Sequence, residues 1–381
     1  MGKIYTAMGL MSGTSLDGVD LSVIKSDGNT KYSSILDRYF EYDRELTKKI
    51  LELRDKISNS KALIEHMEEI KFLEREITLF HANAVNQTLK NTELIIDLIG
   101  FHGQTIFHDS NQKISKQLGD GKLLSQLTHK KVVYNFRQND LKNGGQGAPL
   151  APIFHNVIAN KINEKFKLGF PMNILNIGGI ANITTTVNCK DLDYINKIYA
   201  YDIGPGNCLI DEWIRKNSKK KYDNEGFIAR SGQKDELILN QAIENFINSS
   251  YYEKSLDIKD FDIFFAKGLS LENGAATITN FTAKLIAEGM NYVHSKNRTE
   301  VNKWLVCGGG RKNKYLIEIL RNNFKKINLD LIDQYNIDGD FIESQAFAYL
   351  AIRSLEGMPI SFPSTTRCKE SVTGGVIVEN F

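Results

Sequence analysis

The stretch Met8-Gly9-Leu10-Met11-Ser12-Gly13-Thr14-Ser15-Leu16-Asp17-Gly18-Val19-Asp20 constrains this chain more than any other. An apolar run from Ile4 to Met11 reads as a strand. Ser12 to Gly18 reads as a turn rich in glycine and hydroxyls, and Val19, Leu21, Val23 and Ile24 as the returning strand. Glycine lets backbone N–H groups approach an anion closely, and Ser and Thr add donors. An ordinary polar hairpin has the same signature. Three later glycine-rich turns move the reading toward a phosphate site.

Composition narrows the class. The 381 residues are enough for about two domains. At 41% hydrophobic and 25% charged they describe a globular protein, and a net charge of +2 gives no field suited to nucleic acid. Cys189, Cys208, Cys307 and Cys368 are far apart with no C-x-x-C, which argues against a disulfide framework or a zinc site. No apolar run reaches the ~18 residues of a membrane span. A cytoplasmic protein is the expectation.

Along the chain, residues 31–42 alternate as a third strand, so the start predicts an antiparallel meander. Leu63, Met67, Ile70, Leu73, Ile77, Phe80 and Ala84 recur at helical spacing and predict one long core-facing helix, with His66 and His81 as structural residues. Glu93–Phe101 reads as a buried strand ending in Gly100-Phe101-His102-Gly103-Gln104-Thr105. Polar residues at the carboxyl end of such a strand are where α/β sheets bind ligands, so His102 and Gln104 are candidate substrate contacts. Arg137 could clamp a carboxylate with its planar fork, or pair with Asp140.

The Gly144–Leu150 stretch suggests a domain boundary. Beyond it, Met172–Ile177, Gly178-Gly179 and Ile180–Thr184 repeat the strand–turn–strand pattern of the first hairpin. Gly204-Pro205-Gly206-Asn207 is a further such turn, opening a helix from Cys208. Asp202 sits where a strand gives way to that helix, and reads as either an N-cap or a base. Gly308-Gly309-Gly310 follows another strand and opens a helix, a ready anion or nucleotide site. Helices are also predicted near 236–248, 274–296 and 341–355, the last carrying Glu343. Two strand–glycine turn–strand units opening two halves are the pattern of a two-lobed nucleotide-binding fold with its site in the cleft. There is no G-x-x-x-x-G-K-[ST], so this is not a P-loop enzyme.

Taken together, residues 9–20, His102-Gly103-Gln104-Thr105, Gly144-Gly145-Gln146-Gly147-Ala148-Pro149, Asn176–Asn182 and Gly204-Pro205-Gly206-Asn207 resemble the motifs of the 1,6-anhydro-N-acetylmuramic acid kinase family. Cys307–Gly310 and Glu343–Leu350 are similar to that family too, and the motifs run in family order from residue 8 to about 350. The resemblance implies an α/β, two-lobed actin-like ATPase (ribonuclease H-like) fold. It also implies conversion of 1,6-anhydro-N-acetylmuramate, ATP and water to N-acetylmuramate 6-phosphate and ADP, in bacterial peptidoglycan recycling, by a homodimer. The expected lobes are residues 1–140 with 364–381, and 141–363.

On this reading Asp202 activates water at C1, and Glu343 is a second carboxylate that orients the substrate. The ATP site comprises Ser12, Gly13, Thr14, Ser15, Leu16, Asp17, Gly18, Val19 and Asp20, facing Gly178, Gly179, Asn182, Gly204, Gly206 and Asn207, with Gly308, Gly309 and Gly310 at the adenosine. Asp17 would hold Mg²⁺ through water, though no protein metal ligand is assigned. Gln104 and Arg137 would read the sugar's amide and lactyl carboxylate, supported by His102. Three positions depart from the family's usual residues: Ile203 for Thr, Asn135 for Asp, and Pro363-Ser364-Thr365-Thr366-Arg367 for Pro-Ser-Val-Thr-Gly. Alternatives are another small-sugar kinase or a non-enzymatic, ATP-switched paralogue.

Overall fold

A computed structural model describes the chain apart from residues 1, 14, 248–254, 298–300, 302 and 324–326. It divides into two compact units. One comprises residues 1–164, 188–198 and 341–381, the other residues 165–187 and 199–340. Residues 141–164, 188–198 and 341–363, expected in the second lobe, thus group with the first unit.

In the first unit β1 (Tyr5–Ser12), β2 (Gly18–Ser26) and β3 (Tyr32–Glu41) form the antiparallel meander. Next to β1 lies parallel β4 (Leu98–Asp109), which pairs antiparallel with β5 (Ile114–Leu118) and parallel with β6 (Lys131–Tyr134). The C-terminal strand Val376–Val378 closes this edge. The meander is side-chain arithmetic: apolar residues of β1 and β2 are buried, whereas β3, at the edge, is half exposed.

Two expectations are corrected here. The long helix breaks at His66 (φ −103°, ψ 20°), leaving Ser60–Glu65 and Met67–Lys90 as separate helices. The strand expected from Glu93 starts only at Leu98, and Ile95 is 82% exposed. Nor does that strand end at Phe101. Its pairing with β1 shifts register between Leu10 and Ser12, and it continues to Asp109 past Gly103, whose φ is +76°. The shift sets Gln104 opposite Ser12.

The helix Ile342–Leu355 packs on β1, β2 and β4, which is why 341–363 belong to this unit. A side chain at Gly9 would place its Cβ 1.9 Å from the Ser344 carbonyl oxygen. The helix therefore rests on bare backbone of β1, and only glycine permits that approach.

The second unit repeats the plan. β7 (Met172–Ile177), β8 (Ile180–Thr186) and β9 (Tyr199–Pro205) are antiparallel; β10 (Lys303–Cys307) runs parallel to β7, and β11 (Asn328–Leu331) parallel to β10. The order β11–β10–β7–β8–β9 matches β6–β4–β1–β2–β3 in sequence and sense. The helix Leu271–Asn297 joins β9 to β10, as Met67–Lys90 lies between β3 and β4. Leu175, Ile177, Ile203, Ile286, Met290 and Trp304 make its core. Each unit is thus a ribonuclease H-like α/β fold. Among the described residues, no helix is long and apolar enough to cross a membrane.

Candidate active site

The first hairpin is held from below. Ser12, at the end of β1, is buried, and its Oγ lies 2.8 Å from the Tyr42 hydroxyl and 3.1 Å from His81 Nε2. The His81 Nδ1–H donates to the Ile77 carbonyl at 2.8 Å, so Nε2 is the acceptor. Burial lowers the pKa of His81 to about 4, which keeps the ring neutral and suited to that role. Gln104 Nε2 donates to the Gly13 carbonyl at 3.0 Å, and the Leu16 N–H donates to the same oxygen.

Leu16 and Val19 are core residues, at 1% and 0% exposure, so contacts they make with a ligand are made by backbone. Leu16 holds a left-handed backbone (φ 57°) that turns the tip. Gly13, Asp17 and Asp20 are half-buried and Ser15 is exposed, with its hydroxyl donating to Asp17; Gly18 is buried; Thr14 lies outside the described residues. Gln104, expected at the sugar, is fully buried and engaged with the hairpin.

Arg137 is half-buried beside His102. Its Nε and Nη2 donate to His102 Nε2 at 3.2 and 3.0 Å, and its Nη1 donates to the Gly147 carbonyl at 2.7 Å. His102 donates from Nδ1 to the Gly103 carbonyl; burial and the neighbouring guanidinium hold its pKa well below the ordinary value. A neutral His102 thus accepts from Arg137 and orients it. Next to them a polar cavity is lined by Glu74, Lys116, Gln117, Asn135 and Gln138. Asn135 has φ 58°, a conformation that Asn tolerates better than most residues, so its replacement of Asp suits the backbone.

In the second unit three glycine turns meet. The N–H groups of Gly206 and Asn207 donate to the carbonyls of Gly179 and Gly178 at 2.9 and 2.7 Å. A Cβ at Gly206 would lie 2.1 Å from the Gly178 oxygen, so this joint needs glycine. The Gly308–Gly310 turn packs on Ile177 at the end of β7, and Gly309 lies beside the Asn207 amide.

A residue without a motif secures that last turn. Arg311, 5% exposed, donates to Asp333 at 2.7 and 2.8 Å, to Asp340 at 2.6 Å, to Asp338 at 3.3 Å and to the Gly308 carbonyl at 3.1 Å. Burial opposes its charge, but Asp333 and Asp340 outweigh burial and hold it protonated. Both carboxyls in turn sit below their ordinary pKa despite burial. The run of acids between 330 and 340 was the available sequence signal. Arg311→Lys keeps the charge and loses the fork; a loss of about 2 kcal/mol is expected. Denaturant midpoints measure it, and an unchanged midpoint would mean the acids do not depend on the fork.

Asp202 is not a helix N-cap. β9 runs on to Pro205, and the cap position of the helix Cys208–Asn217 is Asn207. Asp202 lies opposite Asn182, which lies opposite Asn176, which pairs with Cys307: one polar row across four strands. Its carboxylate, 7% exposed, accepts from the Leu256 N–H at 2.9 Å and the Ser255 hydroxyl at 3.3 Å, both on Oδ2. Neither partner carried a recognisable sequence signal. Ile203 points to the other face, into the core against Gly289. Glu343 is half-buried in the first turn of Ile342–Leu355.

Two ribonuclease H-like units, each with a glycine-rich turn between its first two strands, define the actin-like class of ATPases, which includes sugar kinases. The family model described as anhydro-N-acetylmuramic acid kinase matches residues 5–380. A protein of that name from Pelagibacter ubique is 53% identical over 385 residues, covering 100% of both chains. One from Agrobacterium fabrum is 38% identical, covering 99% of this chain and 100% of its own. Among solved structures, the activator of the 2-hydroxyisocaproyl-CoA dehydratase from Clostridium difficile with bound ADPNP aligns over 92% of this chain and 96% of its own, at 11% identity and a TM-score of 0.42. The chain belongs to the anhydro-N-acetylmuramic acid kinase family, and its activity is phosphoryl transfer to an alcohol of that sugar. That membership decides against an ordinary hexose kinase or a non-enzymatic paralogue.

Proposed function

We propose that Asp202 is the general base of a coupled hydrolysis and phosphorylation. The substrate's C1–O6 bond is a glycosidic bond whose leaving group is its own O6. Water attacks C1, its proton passes to Asp202, the C1–O6 bond breaks, and O6 takes the γ-phosphoryl group as ADP departs. One carboxylate suffices, because the phosphoryl group takes the place of the acid that a hydrolase would need. The observation that carries this reading is the fixed, buried Asp202 carboxylate in a chain that matches the family over almost its whole length.

The remaining roles follow from chemistry. Gly13, Thr14, Ser15 and Gly18 cradle the β- and γ-phosphates. Gly178, Gly179 and Asn182 contact phosphate with Gly204, Gly206 and Asn207 behind them, and Gly308–Gly310 lies against adenosine. Arg137 receives the lactyl carboxylate. Glu343 orients the sugar, and the polar cavity beside His102 suits its hydroxyl and amide groups. Gln104, whose Nε2 supports the first hairpin, remains the group for the sugar's amide.

No group of three or more metal-binding side chains occurs among the described residues. A single half-buried carboxylate, Asp17, with a hydroxyl beside it, fits a cation that keeps most of its water and takes its other ligands from phosphate. Bound Mg²⁺ would neutralise phosphate charge. We also propose a cytoplasmic enzyme of bacterial cell-wall recycling that works as a homodimer, the last checked by sedimentation.

The test is ADP release by the purified protein with Mg-ATP and 1,6-anhydro-N-acetylmuramate, run in ¹⁸O-water. The label is expected at C1 of the product, and label in phosphate instead would overturn the mechanism.

A further inference from the structure

The tail at Pro363–Thr366 reaches a part of the first unit far from it in sequence. The Thr366 hydroxyl donates to Asp140 Oδ1 at 2.6 Å, and the Thr366 carbonyl accepts from the Gln146 N–H at 2.8 Å. Asp140 is 1% exposed. A buried carboxylate needs donors, and the second is the Gly147 N–H, 2.6 Å from Oδ2. Gly147 has φ +75°, which lets its N–H face Asp140 while its carbonyl accepts from Arg137 Nη1 at 2.7 Å. The other edge of the guanidinium is held by His102. Lys113 Nζ fixes the same loop through the carbonyls of Gly144 and Gly145 at 3.0 and 2.9 Å.

We infer that Thr366 and Asp140 are positioning residues for substrate: through Gly147 they set the angle at which Arg137 meets the sugar's carboxylate. The inference rests on Arg137 being the group that receives that carboxylate. The chain of contacts is polar throughout, and each link is within hydrogen-bond distance. Arg367 adopts φ +64°, and its Nη1 donates to the carbonyls of Ser364 and Thr365, closing the turn that presents Thr366.

The carboxylate is remote from the C1–O6 bond, so its binding changes little between ground and transition state. Misaligning Arg137 therefore raises KM for the sugar and leaves turnover alone. Thr366→Val removes the hydroxyl and keeps the shape. Expected are a KM for the anhydro sugar about tenfold higher, and a kcat and a KM for ATP within about twofold of wild type. Thr366→Ser, which restores the donor, should return KM to within about twofold.

Arg137→Ala runs beside them and is expected to raise the same KM. If it does and Thr366→Val does not, the positioning role is overturned while the role of Arg137 stands. If Arg137→Ala leaves KM unchanged, both are overturned. If Thr366→Val instead lowers the melting temperature and shifts kcat and both KM values together, the tail is only a clip for the fold and the inference fails.

Discussion

Asp202→Asn is expected to lower turnover at least about a hundredfold, since general-base assistance contributes about 10²–10⁴ in rate. The substitution is nearly isosteric. An Asn side-chain oxygen can still accept from the Leu256 N–H and the Ser255 hydroxyl, so the local structure should survive. What is lost is the ability to take a proton from water. KM for ATP should stay within about twofold, because Asp202 lies in mid-strand and the phosphate-facing turns are held by their own backbone bonds. Single-turnover measurements with the anhydro sugar read the effect directly. A loss of only a few-fold would mean that another group activates the water.

The second large effect is on stability at acid pH. His81 and His155 are completely buried, and burial lowers each from an ordinary value of 6.5 to about 4. Between those values the unfolded chain binds protons that the folded chain refuses, so stability falls as pH falls from 6.5 toward 4. Each 1-unit shift is about 1.4 kcal/mol, so each histidine removes about 3 kcal/mol by pH 4. His102 and His108 are shifted in the same direction. The sum is comparable to the whole stability of a typical domain, about 5–15 kcal/mol. Chemical denaturation at pH 7, 6, 5 and 4.5 should show the midpoint dropping steeply below about pH 6. A midpoint that holds level to pH 5 would mean that these rings find a way to charge inside the fold. His81→Gln should flatten the curve; since the ring also supports Ser12, a weakened first hairpin is its expected cost.

Much of the fold was legible locally. Alternation around Ser12–Gly18 and around Gly178-Gly179 placed both hairpins, because a period of two with a glycine break has few other solutions. The apolar stripes of Met67–Lys90 and Leu271–Asn297 marked the helices between meander and parallel strands. Other features were misread for the same reason that these were read. Leu94 and Ile95 continue an apolar run, yet the sheet begins only at Leu98, where β1 and β6 supply partners. The register shift after Leu10 also sets Gln104, expected at the ligand, beneath the first hairpin, a support that no local pattern showed. For Asp202 a cap stood as the alternative to a base because Gly204 and Pro205 resemble a turn; pairing with β8 carries the strand through them and removes the cap.

By itself the sequence determined both hairpins, the glycine turns and the family, since each is written in neighbouring residues or in motifs kept in order. Only the tertiary structure decided what holds the site together. Ser255 and Leu256 reach Asp202 across 53 and 54 positions, Gln104 reaches Gly13 across 91, and Thr366 reaches Asp140 across 226. Such bonds are single polar contacts with no periodicity. A hydroxyl or amide leaves the same trace in sequence whether its partner is water or a buried carboxylate. Folding chooses between them by burying the acceptor, and the cost of leaving it unpaired makes the distant donor obligatory.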